Sequence, residues 1–139
     1  MAIVVDANLV IALAVDDDRA PAITTQFAQW TRDGERLHAP DLLPYEVASG
    51  LTRMIAAGAF PEDDLARAAA TIRSLPIVYH PLDDPAGAVE IALQLGRRSA
   101  YDAAYILLAQ HLDAELWTFD GPLARNAAGH GLPVRQLDA

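Results

Sequence analysis

The sequence predicts an α/β domain of three layers, a parallel sheet with helices on both faces. Three observations carry that prediction. Short β-like runs alternate with helical ones along the whole chain, the pattern of a parallel sheet joined by right-handed crossovers. The first run, Ala2 to Val5, is continuously apolar, as expected of a strand covered on both faces. The chain has 139 residues, 53% of them hydrophobic, which suits one domain with a sizeable core, since single domains usually run to roughly 100–200 residues. Residues 1–139 are therefore taken as a single domain, with no linker, repeat or low-complexity tract inside it.

Each element follows from its local chemistry. After the Ala2–Val5 strand, a short helix spans about Asn8 to Ala14 and gives way to Asp16-Asp17-Asp18, a charge run suited to a solvated turn. A second helix from about Pro21 to Arg32 buries a stripe of Ile23, Phe27 and Trp30, and Asp33-Gly34 ends it. Arg36 to Ala39 is a weak strand. Asp41 is placed to cap a helix reaching about Ala57, with Pro44 tolerable in its first turn and Gly58 as its stop. Pro61-Glu-Asp-Asp opens a helix to about Ser74, its acids favoured there by the helix dipole. Ile77 to Tyr79 is a third strand, and Pro85 to Leu95 a helix with Asp84 as cap and Gly96 past its end. Ser99-Ala-Tyr-Asp102 has the form of a capping box ahead of a helix that is nearly all apolar from Ala103 to Leu112. Leu116 to Phe119 is a strand, Pro122 to Ala128 a short helix capped by Asp120, Gly129-His-Gly a turn, and Val134 to Leu137 the last strand.

Composition excludes several chemistries. Without cysteine there are no disulfides, thiolates or Cys-ligated zinc. The apolar start has no basic residue before it and is interrupted by Asp6 and Asn8, so it is neither a signal peptide nor a membrane span, and a cytoplasmic location is expected. A net charge of −9 argues against non-specific binding along a nucleic-acid backbone. All ten basic residues are arginine. The missing lysine excludes a Walker-type nucleotide site, and it undercuts the likeness of Val4-Val5-Asp6-Ala7-Asn8 to receiver domains and to haloacid-dehalogenase-like phosphatases, which rely on a lysine beside their acids. His38, His80, His111 and His130 lack ligand spacing and are assigned to surfaces or turns.

Four acids occupy awkward positions. Asp6 and Asp120 stand at the carboxyl ends of strands, where ligands bind in open α/β sheets. Glu46 lies among apolar neighbours in the second turn of its helix, and Asp102 begins an apolar one. Converging on one crevice, these carboxylates would suit a hard divalent cation, Mg²⁺ or Mn²⁺, which prefers oxygen ligands.

The blocks IVVDANLVIAL, PDLLPYEVASGL, SAYDAAYILLA and LWTFDGPLARNA, in this order, resemble those of PIN-domain ribonucleases, and more closely the toxins of VapBC-type toxin–antitoxin pairs. The resemblance implies a PIN-like five-stranded parallel sheet of order 3-2-1-4-5. It implies Asp6, Glu46, Asp102 and Asp120 as the catalytic, metal-binding set, with Asn8 and Thr118 as polar supports. It further implies endoribonuclease activity dependent on Mg²⁺ or Mn²⁺, a VapB-like antitoxin as partner, and a homodimer. Arg97, Arg98 and Arg125 lie near the acids in sequence and are candidates for RNA contact; Tyr101 and Tyr105 flank Asp102 and are assigned to packing ahead of base stacking. Two other functions fit the acids: a metal-binding interaction module without catalysis, and a phosphatase using Asp6 as nucleophile.

Overall fold

The burial of the first strand sets the centre of the molecule. In the computed structural model, which describes residues 2–139, Val4 and Val5 of β1 (Ala2–Val5) are wholly shielded from solvent. β1 pairs in parallel with β2 (Arg36–Pro40) on one side and with β4 (Glu115–Thr118) on the other, placing Ile3 between Leu37 and Glu115. β3 (Ile77–His80) and β5 (Val134–Gln136) form the edges, so the sheet runs β3-β2-β1-β4-β5 with every strand parallel. This is the five-stranded order 3-2-1-4-5 that the resemblance implied.

Among the described residues, seven α-helices cover the sheet. α1 (Ala7–Val15) packs against α2 (Ala20–Arg32), α3 (Leu43–Ala56) and α4 (Leu65–Ser74). On the other face α6 (Tyr101–His111) lies over β1, β2 and β4 and packs on α5 (Pro85–Gln94), while α7 (Gly121–Gly129) packs on β5. The ends of α3 and α5 are set by glycine. At φ +73° and +70°, Gly58 and Gly96 adopt the left-handed conformation that costs other residues energy. The N–H groups of Gly58 and Ala59 close onto the carbonyls of Ile55 and Met54, and those of Gly96 and Arg97 onto Leu93 and Ala92, the paired bonds of a Schellman motif.

Asp84 and Asp120 cap α5 and α7, accepting from the N–H of Gly87 and of Leu123, each at 3.0 Å. Three local expectations give way to other geometry. No capping box forms at Ser99–Asp102: α6 starts after Ala100, without a side-chain cap, so the Asp102 carboxylate is not spent on its own helix. α3 is entered through Leu42, not Asp41, one residue later than an Asp41 cap requires, and the Asp41 N–H extends the sheet by donating to the His80 carbonyl at 2.8 Å. The acids after Pro61 form a 3₁₀ turn, Glu62–Asp64, before α4. His38 and His80 also leave the surface assignment, since their ring nitrogens meet at 2.8 Å across β2 and β3 and both are partly buried. Among the described residues, no helix is long and apolar enough to cross a membrane.

Candidate active site

The chain order of the sheet creates the crevice. From β1 the connections run outward through β2 to β3, then return past β1 to β4, so the direction reverses between β1 and β4. Open α/β sheets bind ligands beyond the carboxyl ends of the strands at such a reversal. Asp6 follows the last residue of β1, its N–H still bonded to the Trp117 carbonyl at 3.0 Å. Asp120 lies two residues beyond β4. The two acids therefore flank the reversal, while Glu46 comes from α3 on one face and Asp102 from α6 on the other.

Thr118 ties the crevice together. It is the one buried polar residue of the described core, and its hydroxyl donates to Asp6 Oδ2 at 2.8 Å while accepting from Asn8 Nδ2 and the Asp120 N–H, each at 3.0 Å. One donor and two acceptor sites exhaust what a hydroxyl offers. Asn8 uses its other end to accept from the Phe119 N–H at 3.2 Å. Sequence reasoning assigned Tyr105 to packing, and it is buried, but its hydroxyl also donates to Glu46 Oε1 at 2.6 Å. A signal was available: Tyr105 stands three residues after Asp102, on the same face of α6.

The charges interact through the crevice. Burial pushes the Asp6 carboxyl from its ordinary 3.8 up to about 7; the Thr118 hydroxyl works against this, and the Asp102 and Glu46 carboxylates add to it. Burial also raises Glu46, opposed by Tyr105 and assisted by Asp102. Asp102 is raised by burial too, against the pull of Arg97 and with a push from Asp120. The four acids thus sense one another in a continuous set. Proteins concentrate such perturbed groups at functional sites.

Among the described residues, no three acids or histidines form a ready-made cation cage. Mg²⁺ does not require one, because it dehydrates reluctantly and is commonly held through one or two carboxylates with several waters retained. A set made entirely of hard carboxylate oxygens fits that cation, with water filling the remaining positions.

The candidate arginines divide. Arg97 Nη2 lies 4.0 Å from Asp102 Oδ2, and Arg98 is exposed in the turn before α6. Arg125 is exposed on α7, and its guanidinium reaches back over Gly121, next to Asp120. Two arginines that the sequence did not single out also stand near the crevice. Arg19 lies over the Phe119 ring at 4.7 Å and pairs with Asp17 at 2.8 Å; Arg19 and Arg53 line a depression with Asn8.

A model of the PIN domain matches residues 3–129 of the chain. The chain belongs to the PIN-domain family. Ribonuclease VapC9 of Mycobacterium tuberculosis is 34% identical over 119 residues, covering 85% of each sequence. Ribonuclease VapC3 of Pyrobaculum aerophilum is 31% identical over 128 residues, covering 89% of this chain and 93% of the relative. The crystal structure of PAE2754 from Pyrobaculum aerophilum shares the fold at a TM-score of 0.67 and 22% identity, covering 99% of this chain and 84% of that one. This PIN domain is thus of the VapC kind, and its crevice is a constellation of acids held from behind by Thr118, Asn8 and Tyr105.

Proposed function

We propose that this chain is a metal-dependent endoribonuclease, the toxin of a VapBC-type pair, hydrolysing RNA phosphodiesters at the crevice between β1 and β4. The observation that carries the reading is the gathering of Asp6, Glu46, Asp102 and Asp120 from four elements into one set in which Asp102 repels each of the other three, while burial first and this repulsion second raise Asp6 to about 7. Such repulsion is destabilising without a cation, and at an effective dielectric near 20 two unit charges about 4 Å apart repel by roughly 4 kcal/mol. The ribonuclease names of the relatives support the same reading.

Asp6, Glu46, Asp102 and Asp120 would hold Mg²⁺ or Mn²⁺. A cation so held supplies activated water and stabilises charge on phosphoryl oxygens. The chain's own residues fix where those ligands stand. Thr118 holds Asp6 by Oδ2, Tyr105 holds Glu46 by Oε1, and the first turn of α7 holds Asp120 by Oδ1. In each case one oxygen is anchored, which orients the carboxylate before substrate arrives. Arg97, Arg98 and Arg125 face the RNA phosphates around these acids. Hydrolysis then attaches water oxygen to phosphorus and breaks the bond to the departing ribose oxygen.

A ribonuclease with an accessible site in the cytoplasm requires control. A VapB-like antitoxin with a basic segment suits the net charge of −9, and a homodimer, checked by light scattering, would present two sites. The test is metal-dependent. Saturating Mg²⁺ or Mn²⁺ should raise the melting temperature and start RNA cleavage, and Asp6→Asn should abolish both effects. Expression of the chain alone should arrest growth, with the arrest lost in Asp102→Ala and relieved by the product of an adjacent small gene. Metal binding without RNA cleavage would make the chain a non-catalytic interaction module, and cleavage without growth arrest would defeat the toxin reading alone.

A further inference from the structure

Leu42, at the N-cap of α3, and Tyr45, Glu46, Ser49 and Arg53 within it fall at spacings of three or four apart from the adjacent pair Tyr45–Glu46, which sets them along one side of the helix. Together with Tyr101 they line a single depression of about 330 Å³, at the lower end of the range for small-ligand sites, about 300–1,000 Å³. Its composition is unusual for a surface stripe. Tyr45 is 75% and Tyr101 59% exposed, so neither ring is used to build the core, and scattered exposed aromatics elsewhere would need no explanation. Here two rings from different helices border the same hollow, which also contains Glu46 of the acid set and the exposed Arg53. Arg53 additionally borders the neighbouring depression with Arg19 and Asn8, so this cation stands between two hollows that each include a residue of the crevice.

We propose that Tyr45 and Tyr101 form a stacking site for an unpaired RNA base next to the cleavage position, with Arg53 meeting the adjoining phosphate. The site deepens the nuclease reading and rests on it, since the hollow opens onto Glu46. Single-stranded nucleic acids are bound by combining aromatic rings, which accept any base face, with cations that follow the backbone. A base inside a duplex is stacked on its neighbours and cannot occupy the hollow, so the substrate class is single-stranded RNA or an unpaired loop. The arrangement also offsets the unfavourable net charge of −9, because stacking does not depend on neutralising phosphates. Separation along α3 serves the same end: eight residues part Tyr45 from Arg53, roughly 12 Å at 1.5 Å per residue, enough to place base and phosphate contacts at different points of one strand.

The test measures binding separately from cleavage. Fluorescein-labelled rU12, rA12 and the rA12·rU12 duplex are titrated by anisotropy against the full chain carrying Asp6→Asn, without divalent cation, then against the same chain with Tyr45→Ala, Tyr101→Ala, Tyr45→Phe or Tyr101→Phe. The single strands should bind more tightly than the duplex, each Ala change should weaken them about ten-fold, and each Phe change should restore affinity to within about two-fold. Both rings are exposed, so the melting temperature of every variant should match the parent. The proposal is overturned if the parent binds neither single strand, if the duplex binds equally well, if Ala variants keep the parent's affinity, or if Phe performs no better than Ala. Failure of the nuclease reading is read elsewhere: folded wild-type chain with Mg²⁺ or Mn²⁺ that leaves RNA intact defeats that reading whatever the anisotropy shows.

Discussion

Thr118 makes three hydrogen bonds with a single hydroxyl, so its replacement has three consequences at once. Thr118→Val keeps the shape but leaves Asp6 without its side-chain donor, and Asn8 Nδ2 and the Asp120 N–H without their acceptor. Buried groups stranded in this way cost about 1–3 kcal/mol; urea unfolding should show a loss of that size, and Thr118→Ser should recover most of it. Asp6 behaves oppositely. Its carboxyl is raised from 3.8 to about 7 in the folded chain, so between those values the native state binds more protons than the unfolded one. Stability must therefore fall as pH rises from about 4 to 7 and level off above, a contribution of up to about 4 kcal/mol. Glu46 and Asp102, also raised, act in the same direction. Thermal melting in chelator should show this decline in wild type and a flatter, higher profile in Asp6→Asn. Parallel profiles for the two chains would refute the assignment of the strain to Asp6.

At the scale of elements, the ends of helices were legible and their beginnings only partly so. Gly58 and Gly96 stop α3 and α5 where the sequence placed them, since a left-handed residue after the last turn is a local requirement. Asp84 caps α5 for a similar reason, and its carboxylate fills the space that a β-carbon at Gly87 would take. Gly87→Ala should consequently be about 1 kcal/mol less favourable with Asp84 present than in an Asp84→Ala background, as measured by a double-mutant cycle. Additive changes would show that cap and glycine are independent. Asp41 and Ser99 failed as caps because α3 and α6 each start one residue later than those caps require.

For the whole molecule, 19 acids oppose ten arginines, and four of the acids share one crevice. Self-repulsion of this kind is long-ranged and is screened by salt, the Debye length being about 10 Å at 0.1 M. Without divalent cation, the melting temperature should rise as NaCl is increased from about 0.02 to 0.5 M, and it should rise less in Asp6→Asn. A temperature that stays constant or falls would mean that attractive pairs such as Arg135–Glu115, at 2.7 Å, outweigh the repulsion.

The sequence by itself determined the five strands, the helix stops, and the placement of Asp6 and Asp120 at strand ends, because each depends on residues within a few positions of one another. Asp102 taken alone reads better as a local cap, and only the fold decided otherwise. Tyr105 meets Glu46 across 59 positions of chain, and His38 meets His80 across 42; neither contact has a local signature. The strand order came from resemblance, not periodicity, since an apolar run states that a strand is buried but not which neighbour buries it. Likewise, Tyr45 and Tyr101 are indistinguishable in sequence from core tyrosines such as Tyr105. Their exposure, and the hollow that they border together, are properties of the packed molecule alone.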